Sequence, residues 1–223
     1  MKLSIIIPAY NEIKSIAEIL RLVKEEKHEK EIIVVDDAST DGTKEFLWAL
    51  NDAQIKVVYN DANYGKGYSL RKGIELVTGD IVIIQDADLE YSPLDYESLI
   101  KKMIDVNAPV VFGSRFLSSL QGFRFFQFMG NKVITLMVNG LYKVRLTDVM
   151  TCYKVFRTEL IKSINLKADG FCVEIDIVAD LLKKQYHIFE VPISYNGRTY
   201  AQGKKIKWTD FFRCLYQLIS SLK

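Results

Sequence analysis

Short β-branched runs that each stop at a polar cluster constrain this chain more than any other feature. Residues 2–7 close on Pro8-Ala9-Tyr10-Asn11-Glu12, residues 31–35 on Asp36-Asp37, and residues 81–84 on Gln85-Asp86-Ala87-Asp88. Continuous apolar runs of this length mark strands buried on both faces. Between them the spacing turns helical. Ile13, Ile16, Leu20 and Val23 line one face of a segment over 11–24, for which Asn11 is the expected cap. Further helices are expected over 43–50, 68–77 and 94–104, with strands over 55–59 and 110–112. Such alternation predicts an α/β fold, a mostly parallel sheet with helices on both faces. Ligands of such sheets bind beyond the carboxyl ends of the strands, where all three polar clusters fall.

The second half is less regular. One or two amphipathic helices are expected within 116–145, a strand over 152–156, helices over 158–164 and 174–184, and a strand over 188–194. A basic loop spans 196–205 and a final helix 206–222. That helix carries Trp208, Phe211, Phe212, Leu215, Tyr216, Ile219 and Leu222 near one stripe, interrupted by Asp210, Arg213 and Gln217. It is too short and polar to span a bilayer, and either lies on a membrane or closes the core. With no repeats or linker, residues 1–223 read as one domain, with a ligand-binding half over 1–115 and a second half over 116–223.

The acid pair is the sharpest chemical signal. In an extended segment, side chains at i and i+2 point to the same side, so Asp86 and Asp88 aim two carboxylates at one spot. Two such anions repel unless a proton or cation joins them. Mg²⁺ and Mn²⁺ prefer oxygen ligands, and Mg²⁺ commonly takes one or two carboxylates plus phosphates of a substrate. A metal-held nucleotide diphosphate and a solvated acidic turn both fit the pair taken alone.

Charge and composition narrow the alternatives. The net charge of +2 hides an acidic first half and a basic second half. No acid lies between Asp105 and Asp148, a stretch holding Arg115, Arg124, Lys132, Lys143 and Arg145 among several phenylalanines. Such a stretch suits an anionic partner beside an apolar one, such as lipid phosphate at a membrane surface. A nucleic acid is the competing partner and is not expected, and a helical hairpin with a cationic rim is the alternative. Only two histidines are present, which argues against a histidine metal site or a Ser-His-Asp triad. Three scattered cysteines without metal spacing and no secretory signal point to reduced thiols and a cytoplasmic location.

Several segments together resemble one family. Ser4–Glu12, Val34–Thr43, Asn63-Tyr64-Gly65-Lys66-Gly67 and Asp86-Ala87-Asp88-Leu89-Glu90 are similar to the opening strand, second strand, glycine turn and metal motif of the family-2 glycosyltransferases. Gly113-Ser114-Arg115-Phe116, Thr147-Asp148, Thr151–Phe156, Val191-Pro192-Ile193, Tyr195–Arg198 and Gly203–Ile206 continue the match in order. The nearest subgroup is the dolichol-phosphate mannosyltransferase-like enzymes, which load a sugar onto a polyprenyl phosphate. The resemblance implies a GT-A (Rossmann-like) fold, a GDP- or UDP-sugar donor, Mg²⁺ or Mn²⁺, and inversion at the anomeric carbon. A saccharide or other hydroxyl acceptor is the alternative.

By the same resemblance, Pro8, Tyr10, Glu12 and Asp37 hold the nucleoside, with Val35, Lys66, Ala87 and Glu90 beside the donor. Asp86 and Asp88 hold the metal and diphosphate. Arg115 lies near the phosphates, and Arg198 and Lys205 belong to a loop that folds over the donor. Arg124, on acceptor helices over 117–142, contacts the lipid phosphate. Asp88, Arg115 and Asp176 are the expected catalytic residues, with Asp176 a base, a sugar contact or a structural acid. The closest mannosyltransferases usually carry Gln at the position of Glu90. Glu174 and Asp176, two apart on a helix, do not face one way, so at most one of them lines the site. The implied setting is peripheral, on the cytosolic face of a membrane.

Overall fold

A computed structural model describes residues 1–118, 125–198 and 208–222. Strands β1 (Leu3–Ala9), β2 (Lys30–Asp36), β3 (Ile55–Tyr59), β4 (Ile81–Ile84), β5 (Val110–Ser114), β6 (Lys154–Arg157) and β7 (Phe189–Pro192) form one sheet. Its order is β3-β2-β1-β4-β6-β5-β7. All neighbours run parallel except β6, which is antiparallel to both β4 and β5. The helices are α1 (Ile16–Glu25), α2 (Thr43–Ala49), α3 (Lys66–Leu76), α4 (Tyr96–Asp105), α5 (Phe125–Tyr142), α6 (Thr158–Ser163), α7 (Val173–Lys183) and α8 (Trp208–Ser221).

Period-2 alternation in the strands builds two cores. Ile6, Ile33, Val82 and Ile84 face one side, packed against residues of α3, α5, α6, α7 and α8. Ile5, Ile7, Ile32, Val34 and Ile83 face the other, against α1, α2 and α4. Helices therefore cover both faces, as the alternation predicts.

Register brings the polar clusters to one edge. Ala9 pairs with Asp36, and Ile6 with Ile84, so the exits of β1, β2 and β4 lie side by side. The antiparallel β6 turns β5 and β7 back into the direction of β4. The ends of β5 and β7, leading to Arg115 and to residues 195–198, thus open on that same edge.

The start of α1 departs from expectation. Asn11 is not its cap: it takes a left-handed backbone (φ 51°). Its Oδ1 accepts the Thr40 N–H at 2.7 Å, and its own N–H donates to Ser39 Oγ at 2.9 Å. Asn tolerates this conformation better than most residues, and here it ties the β1 exit to the β2 exit while the helix begins at Ile16.

Candidate active site

Strand β4 leaves the sheet through Gln85, whose side chain points away from the edge. Gln85 is fully buried, and its Oε1 accepts from Tyr96 OH at 2.8 Å and Tyr153 OH at 2.5 Å. With Gln85 anchored, Asp86 and Asp88 turn to the other side. Asp86 Oδ1 accepts from Lys66 Nζ at 2.7 Å. Asp88 Oδ2 accepts from Arg198 Nη2 at 2.5 Å, and its Oδ1 from the Glu90 N–H at 3.0 Å.

The two acids titrate apart. Burial opposes ionisation of Asp86, but Lys66 and Arg198 prevail and hold its carboxyl below the usual range. Burial, then repulsion from Asp86, pushes Asp88 up to about 7 against the pull of Arg198. Burial disfavours the Lys66 ammonium, yet Asp86, Cys152 and Glu174 raise it well above an ordinary lysine.

Arg198 draws three acids together. Its Nη1 donates to Glu12 Oε2 at 2.8 Å, its Nη2 to Glu12 Oε1 at 3.2 Å as well as to Asp88, and its backbone N–H to Glu90 Oε1 at 2.7 Å. Glu12 also accepts from Ser15 Oγ at 3.0 Å, and Glu90 from Tyr195 OH at 2.9 Å. Pro8 and Tyr10 are half-buried on the same edge, and Ala87 is buried between the two acids.

Asp37 builds the glycine turn. Its Oδ1 accepts from Asn60 Nδ2 at 2.7 Å and the Tyr64 N–H at 3.0 Å, and its Oδ2 from the Gly65 N–H at 2.7 Å. Gly65 has φ +100°, and a Cβ on Gly67 would meet the Ala168 carbonyl oxygen at 2.0 Å. The turn is therefore clasped by backbone of residues 168–169, and α3 starts with Lys66 aimed at Asp86.

Asp176, on α7, bonds backbone and α8. Its Oδ2 accepts the N–H groups of Lys167 (2.7 Å) and Ala168 (2.5 Å), and its Oδ1 accepts from Gln217 Nε2 on α8. Those bonds hold the segment that clasps the glycine turn. Glu174, two residues earlier, is the acid of α7 that meets Lys66, at 3.2 Å.

Arg115 and Val35 are both interior. Arg115 is 4 % exposed, and its Nε and Nη2 donate to Asp148 at 2.7 and 2.8 Å. Its guanidinium lies 5.2 Å from the Tyr195 ring centre and 6.0 Å from that of Tyr91. Burial opposes the charge of this arginine, and pairing with the Asp148 carboxylate keeps it charged in the interior. Val35 is fully buried in the core, because period 2 along β2 turns its side chain inward. Arg124 and Lys205 lie outside the described residues.

Lys154 received no role from the sequence, although a lysine inside the apolar run Tyr153-Lys154-Val155-Phe156 was a signal. It is fully buried and pairs with Glu174 Oε2.

Helices α5 and α8 flank this region. Ile134 and Val138 of α5 point inward, whereas Leu136 is 67 % exposed. Cys214 and Leu218 of α8 point inward, whereas Phe212, Tyr216 and Ile219 are exposed. Among the described residues, no helix is long and apolar enough to cross a membrane.

Comparison with known proteins gives one consistent picture. A family model described as glycosyl transferase family 2 matches residues 4–164. An uncharacterized protein of Methanocaldococcus jannaschii is 31% identical over 215 residues, spanning 90% of this chain and 93% of that protein. A dolichol-phosphate mannosyltransferase of Pyrococcus furiosus is 27% identical over 98% of this chain and 64% of that protein. Among solved structures, glucosyl-3-phosphoglycerate synthase of Mycobacterium tuberculosis, crystallised with Mn²⁺, UDP and its glucosyl product, superposes with a TM-score of 0.74. It is 21% identical, over 99% of this chain and 78% of that one. Mannosyl-3-phosphoglycerate synthase of Rubrobacter xylanophilus gives a TM-score of 0.76 at 21% identity, over 100% of this chain and 72% of that one.

Proposed function

The chain belongs to glycosyl transferase family 2, and from that premise we propose that it is an inverting, metal-dependent enzyme moving a sugar from a GDP- or UDP-sugar to a polyprenyl phosphate at a cytosolic membrane face. One observation carries the reading: Asp86 and Asp88 stand together at the carboxyl end of β4, each against a cationic side chain. A site for a departing diphosphate needs that mixture of hard oxygen ligands and mobile positive charge.

The residues present fit a divalent cation. Asp86 and Asp88 bring hard carboxylate oxygens together at the end of β4, the donor type that Mg²⁺ and Mn²⁺ prefer. Among the described residues no group of three or more acids, histidines or cysteines is placed to hold a metal ion by itself. Asp86 and Asp88 would hold the ion, with its other ligands coming from the donor and water. When bound, the ion neutralises the leaving diphosphate and polarises its oxygens.

The chain's own groups supply the rest. Arg198 is positioned to leave the acids for the diphosphate, where charge-assisted hydrogen bonds to guanidinium are strong. Asp37 keeps the glycine turn in place, and Glu12 and Tyr10, at the exit of β1, are the proposed nucleoside contacts. A phosphate monoester has a second pKa near 6, so such an acceptor arrives ionised and needs no strong general base. The exposed apolar residues of α5 and α8 support a hydrophobic acceptor, and the Pyrococcus relative's printed activity supports a lipid phosphate.

The test is incubation with labelled nucleotide sugars, polyprenyl phosphate in membranes and Mn²⁺, followed by organic extraction. Label is expected in the organic phase, and the Asp86→Asn/Asp88→Asn double variant is expected to abolish it. Undiminished transfer by that variant overturns the site. Label confined to water-soluble product replaces the lipid acceptor with a saccharide or other hydroxyl.

A further inference from the structure

Four charged side chains from four elements form a row behind the acid pair: Asp86 beyond β4, Lys66 at the start of α3, Glu174 on α7 and Lys154 on β6. Lys66 Nζ lies 2.7 Å from Asp86 Oδ1, 3.0 Å from Cys152 Sγ and 3.2 Å from Glu174 Oε1. Lys154, fully buried, donates to Glu174 Oε2 and to the Thr151 carbonyl. One oxygen of Glu174 is thereby occupied. The other, Oε1, is buried and accepts no hydrogen bond: Lys66 is within ion-pairing distance but outside hydrogen-bond geometry.

A buried carboxylate oxygen left without a hydrogen bond is unfavourable, and native structures rarely keep one without a reason. The reason lies in what must happen at Asp86. In this structure the Lys66 ammonium is the cation on Asp86. A divalent cation at Asp86 would meet that ammonium at close range, in a buried site where like charges repel strongly. The ammonium needs somewhere else to go, and Glu174 Oε1, 3.2 Å away, is a buried acceptor without a hydrogen bond. The shift asks only for a side-chain rotation, because Lys66 already contacts both acids.

We propose that Glu174 is a positioning residue that takes Lys66 over from Asp86 when a divalent cation binds. Lys66 then acts as a latch: on Asp86 in the metal-free protein, on Glu174 in the loaded one. Lys154 holds Glu174 oriented for that exchange. The inference rests on the reading of Asp86 and Asp88 as the metal pair. It assigns Glu174 a task separate from that of Asp176, whose oxygens are occupied by the 167–168 backbone and Gln217.

The test is a double-mutant cycle read by Mn²⁺ binding alone, from the electron paramagnetic resonance signal of free Mn²⁺ against the full chain without donor. Glu174→Gln is expected to weaken Mn²⁺ binding about tenfold, because Lys66 loses its alternative partner. In the Lys66→Met background the same change is expected to shift affinity less than twofold. Equal losses in both backgrounds overturn the latch, since a simple field effect of the Glu174 charge does not depend on Lys66. Should Glu174→Gln fail to fold, with Lys154 left unpaired, Lys66→Met alone decides. It is expected to bind Mn²⁺ about tenfold more tightly than the unaltered chain, and unchanged or weaker binding overturns the proposal. An unaltered chain that retains no Mn²⁺ removes the metal pair itself, an outcome distinct from a failed latch.

Discussion

Arg198 Nη2 lies 2.5 Å from Asp88 Oδ2, across 110 residues of sequence. The same guanidinium bonds both oxygens of Glu12 at the exit of β1. A side chain at the exit of β7 thus neutralises the acids at the exits of β1 and β4, where the diphosphate and its ion are proposed to sit.

That contact makes Arg198 a competitor for the ion and a partner of the donor. Arg198→Ala is expected to bind Mn²⁺ alone more tightly, by roughly 5–10-fold, since one fewer positive charge faces Asp88. Turnover with a nucleotide sugar is expected to fall about 100-fold, as for loss of one donor to a charged transition state. Resonance titration and initial rates check the two arms, and a fall in both would contradict the competition.

Asp88 makes stability pH-dependent. Its folded-state pKa, about 7, lies above that of an unfolded aspartate. A raised carboxyl stabilises the fold fully below the unfolded value and loses that contribution as pH rises through about 7. Asp86, Glu90 and Glu12 face it as acids and Arg198 as the base. Between pH 5 and 8, the metal-free chain is therefore expected to lose on the order of 2–3 kcal/mol relative to Asp88→Asn. Urea unfolding of both proteins at the two pH values measures the difference, and parallel pH profiles would refute it.

The Arg115–Asp148 pair is an internal strut. Asp148 is fully buried, and removing it strands a guanidinium in the interior. Asp148→Ala is expected to cost about 3–5 kcal/mol of folding free energy. Because this pair braces the end of β5 and is not the proposed ion site, Mn²⁺ affinity of the folded fraction should hold. Denaturant melts and metal titration separate the two effects.

The clasp on the glycine turn predicts a sharp contrast between neighbouring glycines. A methyl at Gly67 would lie 2.0 Å from the Ala168 oxygen, and Asp176 holds the 167–168 backbone so that it cannot easily withdraw. Gly67→Ala is expected to destabilise by about 1–3 kcal/mol or more through overpacking. Gly170→Ala, with open space at its Cβ, is expected to stay within about 0.5 kcal/mol of the unaltered chain. Thermal melts of the two variants test the pair.

The strands and most helices were legible in the sequence because their signals are local. A run such as Ile81–Ile84 and the spacing of Ile16, Leu20 and Val23 carry their periodicity within one element. The meeting of the polar clusters on one edge follows from a parallel sheet, and the strand register delivers it. The antiparallel β6 was not legible, since Lys154–Arg157 reads as a strand whichever way it runs. Nor was the cap of α1: Asn11 has the chemistry of a cap, but the neighbouring loop at Ser39 and Thr40 claims it.

Periodicity thus settled the α/β class and placed Asp86 and Asp88 at a strand end, while the family resemblance came from motifs matched in order along the chain. Partner choice was decided in three dimensions. Arg115 goes to Asp148, Arg198 to Glu12 and Asp88, and Lys66 to Asp86 with Glu174 in reach, while Asp176 goes to backbone. Periodicity acts between near neighbours along the chain, whereas the strength of an ion pair depends on distance and burial, which only the packed elements supply.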